Sequence, residues 1–255
     1  MKTAREYLEA ILVAVLLALF AKAFLFEAFE IPSSSMETTL LPGDHVLVNK
    51  FLYGKHEGPW RRILPHRDLS LGDVAVFRSP ETPEVDLIKR VTGLSGDLIE
   101  LQDKALRRNG RPVPEPWAIH RDERVYTRES GAPDAVRRRD DFGPFEVPRA
   151  SFFAMGDNRD ESRDSRAWGV VDLGLLRGRA VLVYWSYDTG AAPRFTGRAA
   201  GLRRLLDTAL NFPKRTRWGR SFLLVTARET NPGRNSEPGV SRSPETPRGK
   251  QRRGA

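Results

Sequence analysis

The sequence contains no cysteine, which removes thiol nucleophiles, iron–sulfur clusters and cysteine zinc sites and leaves the redox environment open. Histidine is scarce as well. The four present, His45, His56, His66 and His120, have no second histidine three or four residues away, so the helical two-histidine zinc motif is missing. A histidine-based serine triad also lacks a visible base positioned by a carboxylate. The formal charge of +9 and pI near 10.1 admit nucleic acid, an anionic membrane or a basic tail as explanations. Much of that charge lies late in the chain, at Arg203, Arg204, Lys214, Arg215, Arg217, Arg220, Arg248, Lys250, Arg252 and Arg253. No stacking-aromatic, Gly-Phe pattern of an RNA-binding sheet accompanies it, so no specific nucleic-acid partner is indicated, and a membrane-facing or solvated tail is.

What is present begins with residues 8–26, LEAILVAVLLALFAKAFLF, close to the length that crosses a hydrocarbon core of about 30 Å as a helix. Glu9 falls at one end and Lys22 at the other, where a long side chain reaches the interface. Lys2 and Arg5 before the run and Glu27 and Glu30 after it put the N-terminus (1–7) in the cytoplasm and the remainder outside. A removable signal peptide is the alternative, since Ala21-Lys22-Ala23 imitates a cleavage site, although the apolar run continues past it.

Beyond this, short valine-rich runs at 45–48, 74–77, 87–91, 98–101, 151–155 and 180–185 are strand-like in length and alternation. Gly-Asp pairs at 43–44, 72–73, 96–97 and 156–157 read as turns, and Asn109-Gly110 is a two-residue hairpin signal. The expected fold is therefore mainly β, an antiparallel, barrel-like domain over 27–227 behind a single N-terminal membrane helix. Residues 112–148 mix charge, proline and glycine and read as an insertion or extended loop. A short helix is expected at 202–210 and a last apolar patch at 222–225. Residues 228–255 offer almost nothing to bury and read as a disordered basic tail.

Three segments carry candidate chemistry. Ile31-Pro32-Ser33-Ser34-Ser35-Met36 directly follows the apolar run, and by itself could be a solvated linker. Asp86-Leu87-Ile88-Lys89-Arg90-Val91 is a strand pattern carrying a lysine. An exposed lysine would be inert, whereas an inward, desolvated one becomes a neutral base able to take a serine proton. Lowering such a lysine from about 10.4 to around 8 costs folding roughly 3 kcal/mol at neutral pH. Met155-Gly156-Asp157-Asn158-Arg159-Asp160-Glu161-Ser162-Arg163-Asp164-Ser165-Arg166 is a turn-rich loop, either a salt-bridged surface or a rigid support for the lysine.

Taken in order, these segments, with Gly43-Asp44-His45-Val46-Leu47-Val48-Asn49-Lys50 and Gly72-Asp73-Val74-Ala75-Val76-Phe77, resemble the bacterial type I signal peptidases over roughly residues 8–185. The resemblance implies a membrane-bound serine endopeptidase with Ser35 as nucleophile and Lys89 as general base. It implies that the Ser33 hydroxyl completes an oxyanion hole with the Ser35 N–H, that Ser162 orients the lysine, and that Asp164 and Arg166 form a supporting ion pair. It further implies no metal and no cofactor, preprotein substrates with small residues at the first and third positions before the cut, and a catalytic domain on the outer side of the bacterial inner membrane. Ser34 stands where the family often has glycine, and Thr38 and Ser95 where it often has proline; these departures alter loop stiffness and no atom of the chemistry. Other Ser/Lys peptidases and a catalytically inert, membrane-tethered binding domain remain as rival readings.

Overall fold

The computed structural model describes residues 2–20, 25–51, 67–188 and 210–226. Of the helix expected at 202–210 only Leu210 is among them, and the tail at 228–255, His56 and His66 lie outside them.

Helix α1 (Lys2–Phe20) is followed by strand β1 (Phe26–Glu30). The single helix expected over 8–26 is thus corrected at its end: Phe26 belongs to a strand, paired with Asn49 across the sheet. Hydropathy resumes after Lys22 and runs on through Phe26, but aromatic Phe26 and Phe29 favour an extended backbone where a partner strand is available. No helix among the described residues is long and apolar enough to cross a membrane. The side chains of Ile11, Leu12, Leu16, Leu17 and Leu19 on α1 are nevertheless all exposed.

The remaining described residues are mainly antiparallel β. The strands are β2 (Asp44–Asn49), β3 (Val74–Arg78), β4 (Asp86–Leu94), β5 (Leu98–Gln102), β6 (Ala105–Arg108), β7 (Arg111–Pro112), β8 (Phe142–Glu146), β9 (Ser151–Met155), β10 (Val171–Asp172), β11 (Leu176–Ser186) and β12 (Leu223–Leu224). Two short helices, α2 (Asp134–Asp140) and α3 (Ser165–Trp168), and 3-10 turns at Ser34–Met36, Leu173–Leu175 and Trp218–Arg220 accompany the strands. The larger sheet runs β1-β2-β11-β3-β4-β9-β10, with β12 also against β11. Its two terminal strands do not meet, so the barrel-like expectation is met by an open sheet. β11 carries register shifts against both β2 and β3, which bend a strand and raise its twist.

The glycines of the expected turns at Gly43, Gly72 and Gly96 have φ of +85°, +81° and +85°, a region other residues enter at a cost. The aspartate after each accepts the N–H three residues before it: Leu41, Ser70 and Leu94 donate to Asp44, Asp73 and Asp97. Asn109 and Gly110 both take positive φ between β6 and β7, as a type I′ hairpin requires.

Residues 112–148 are not an appended loop. They supply α2 and β8, and β8 joins the second sheet, ordered β7-β6-β5-β8. Phe142 and Val147 pack with Ile99, Leu101 and Leu106 against Phe153 and Met155 of β9. Phe152 and Ala154 point the other way, into a cluster with Ala75, Phe77 and Val91. β9 is therefore buried on both faces, which accounts for its unbroken apolar run. The last apolar patch materialises as β12, with Val225 entering the cluster of Ile31, Met36, Leu40 and Val46.

Candidate active site

Ser35 sits in a 3-10 turn, Ser34–Met36, beyond the end of β1. Backbone bonds from Ile31 N–H to Asp44 O (2.9 Å) and from Gly43 N–H to Ile31 O (2.9 Å) fasten the approach to this turn. The buried side chains of Ile31, Met36 and Leu40 then plug it into the core. One serine is thereby placed on an anchored turn, whereas a solvated linker would have no such plugs.

Lys89 lies on β4 opposite Ala75 of β3 and is 4% exposed. Its Nζ donates a 2.6 Å hydrogen bond to Ser35 Oγ. Burial pushes its pKa down from 10.5 to about 8, against the partial offset of the Asp164 and Asp157 carboxylates. The alternation of β4 alone would have allowed an exposed lysine. It is inward because β4 is covered on both faces from Lys89 to Gly93. Of the described histidines, His45 stacks on Trp185 and His120 lies beside Asp160; the base within reach of Ser35 is the lysine.

Ser33 Oγ stands 3.3 Å from Ser35 Oγ, on the same turn. Asp164 and Arg166 pair through two contacts, Nε to Oδ1 at 2.9 Å and Nη2 to Oδ2 at 2.8 Å, with both residues buried. Burial opposes the Asp164 charge, but Arg166 and the Gly156 N–H overcome it and hold the carboxyl below the usual carboxylate range. Arg166 also donates to the carbonyls of Arg139 and Arg159, so the pair ties the loop, β9 and the α2 region together. Ser162 is placed differently from expectation. Its buried Oγ lies beside Asp164 and helps to hold that carboxyl's pKa down, but it makes no hydrogen bond to Lys89.

Gly156 was legible only as a turn residue, but its φ is not positive. A Cβ there would fall 2.3 Å from Ser162 Oγ and 2.5 Å from the Ser35 carbonyl oxygen. Its small size lets the loop after β9 close on the serine, and Asn158 N–H donates to Ser35 O at 3.1 Å.

The site also rests on residues to which the sequence pattern attached no role. Arg90, next to Lys89 but facing away, grips Asp157 through Nε–Oδ1 at 2.7 Å and Nη2–Oδ2 at 2.6 Å. It also donates to Gly72 O and Thr39 Oγ1 and lies 4.4 Å over the Trp117 ring. Arg159 makes a second two-point contact with Glu115, at 2.7 and 2.6 Å. Fork-to-carboxylate geometry of this kind fixes orientation as well as adding energy. The signals were present, since Arg90 and Asp157 flank the chosen residues, but their partners lie 67 positions apart. Among the described residues no group of three or more His, Asp or Glu side chains is placed to hold a metal ion.

This arrangement, a neutralisable buried amine on a serine hydroxyl with a second hydroxyl alongside, can perform nucleophilic attack with general-base assistance. Residues 4–185 match a family model described as signal peptidase, peptidase S26. The chain is similar to the signal peptidase I of Pseudomonas fluorescens, 39% identical over 207 residues, covering 71% of this chain and 72% of that protein. It is 33% identical to that of Bacillus licheniformis over 184 residues, covering 72% and 89%. It is 28% identical to that of Aquifex aeolicus over 268 residues, covering 86% and 99%. Among solved structures, a signal peptidase I from Enterococcus faecalis V583 aligns with a TM-score of 0.35 and 26% identity, covering 44% of this chain and 97% of that one.

Proposed function

From the premise that the chain belongs to the signal peptidase, peptidase S26, family and is a serine endopeptidase, we propose that Ser35 is its nucleophile and Lys89 its general base in removing signal peptides from preproteins. The observation that carries this is the 2.6 Å contact between Lys89 Nζ and Ser35 Oγ, made by a lysine that burial has brought near neutrality.

The neutral amine of Lys89 takes the hydroxyl proton as Ser35 Oγ bonds to the scissile carbonyl carbon. The carbonyl oxygen becomes an oxyanion, stabilised by the Ser35 N–H and the Ser33 hydroxyl. Collapse of this intermediate breaks the C–N bond, and the lysine ammonium returns its proton to the departing amine of the mature chain. Water, deprotonated by the same lysine, then hydrolyses the Ser35 ester and restores both groups. Asp164 and Arg166 hold the loop against which Lys89 is packed. Ser162, whose hydroxyl lies beside Asp164, acts on the lysine's surroundings and orients it once substrate is bound.

We assign the protein to the outer face of the bacterial inner membrane, with Lys2 and Arg5 on the cytoplasmic side of a single-pass anchor. Support comes from α1, whose apolar side chains are exposed all round, as befits a helix solvated by lipid. Its apolar part, 8–20, spans only about 20 Å at 1.5 Å per residue, so a crossing calls for thinning of the bilayer and snorkelling flanks. Leu210, Trp218, Phe222, Leu223 and Leu224 form a second exposed apolar set that suits the interface. Substrate would lie extended against a strand edge, with small residues at the first and third positions before the cut. Alkaline extraction of membranes tests the anchoring: the protein is expected in the pellet, and recovery in the supernatant contradicts the assignment.

A further inference from the structure

Residues 210–226 fall beyond the stretch matched by the family model, yet they hold the back of the catalytic turn. Arg220 Nη2 donates to Thr39 O at 3.0 Å and to Asp44 Oδ2 at 2.6 Å. Arg217 Nη1 donates to Pro42 O at 3.0 Å. Val225 is buried against Ile31, Met36 and Leu40, the three side chains that seat the Ser35 turn. Thr39 in turn connects to both arms of the site. Its Oγ1 donates to Asp157 Oδ2 at 2.5 Å and accepts from Arg90 Nη2 at 2.9 Å. Arg90 adjoins Lys89, and Asp157 adjoins Asn158, whose N–H binds Ser35 O.

We propose that Arg220 is a positioning residue for the dyad: the late segment closes as a clasp on Thr39 and Asp44, and through Thr39 sets the distance between Ser35 and Lys89. The idea rests on Ser35 and Lys89 being the reacting pair. Removing Arg220 leaves Asp44 its bonds from Ser186 Oγ (2.6 Å) and Leu41 N–H (2.9 Å) and its contact with Arg217, so the fold has no newly orphaned buried charge. What is lost is the hold on Thr39 O together with the 2.6 Å bond to Asp44 Oδ2, the second of which the Ser186→Ala comparison controls for.

The test is preprotein cleavage by full-length Arg220→Ala in detergent, well below its melting temperature, beside Ser186→Ala and Ser35→Ala. Ser186→Ala weakens the same Asp44 cluster without touching Thr39, and so reports a merely structural effect. Small displacements of reacting groups cost rate steeply, so kcat of Arg220→Ala should fall about tenfold or more, with KM held within about threefold. Added guanidinium should restore part of the rate, and Arg220→Lys should retain more of it than Ala. Ser186→Ala should keep wild-type kcat. Wild-type kcat in Arg220→Ala, or equal losses in Arg220→Ala and Ser186→Ala, overturns the clasp while an inactive Ser35→Ala leaves the dyad standing. An active Ser35→Ala overturns the dyad itself.

Discussion

Replacing Lys89 by methionine should make the protein more stable at neutral pH while abolishing catalysis. In the folded state the lysine pKa is lowered from 10.5 to about 8, so folding prefers the neutral amine. Below pH 8 both folded and unfolded chains are protonated and the folded state bears the full penalty, about 3 kcal/mol. Between pH 8 and 10.5 the unfolded chain binds the extra proton and the penalty fades; above 10.5 it is gone. The lost bond to Ser35 Oγ takes back about 1 kcal/mol, leaving a gain of about 2 kcal/mol at pH 7. Urea denaturation of wild type and Lys89→Met at pH 7, 9 and 10.5 reads this directly. The stability difference should favour the variant at pH 7 and shrink, then reverse, as pH rises. A difference independent of pH refutes a desolvated lysine. The same pKa requires kcat/KM to rise with pH through an inflection near 8, with about one lysine in ten neutral at pH 7.

Other consequences are equally open to measurement. Gly156→Ala should cut kcat/KM by about 100-fold, because its methyl group would meet the Ser35 carbonyl and Ser162 Oγ and shift the nucleophile; near-wild-type cleavage contradicts the close approach. Asp157→Ala strands the buried Arg90 charge and should cost about 3–5 kcal/mol, read by thermal or urea unfolding, with a loss under about 1 kcal/mol counting against it. Ser33→Ala should lower kcat by about 10² to 10³ with little change in melting temperature; unchanged kcat removes Ser33 from the oxyanion site.

Strands were legible where one face is solvated or where a turn residue ends the run: β2, β3 and β9 begin or end within a residue or two of the apolar pattern. The Gly-Asp turns followed from positive φ at glycine and the short reach of aspartate. Residues 112–148 hid their second-sheet strand because Pro144 and Gly143 interrupt the alternation around Phe142 and Phe145. Phe26, the last residue of the apolar N-terminal run, was misassigned because hydropathy does not distinguish a helix from a strand with a waiting partner. Within the site, the family resemblance carried by the three segments pointed to Ser33, Ser35, Lys89, Ser162, Asp164 and Arg166, where residue types alone left a linker and a surface loop open. They could not reveal Thr39, Arg90 and Asp157, whose meeting depends on pairing across distant strands, nor that the Ser162 hydroxyl sits beside Asp164 without a bond to Lys89.

The central claim is the Ser35–Lys89 dyad, and it is tested most directly by cleavage of a purified preprotein in detergent by wild type, Ser35→Ala and Lys89→Ala, with N-terminal sequencing of the product. Wild type should give one correctly processed product and either folded variant none. Substantial processing by Lys89→Ala would contradict the dyad.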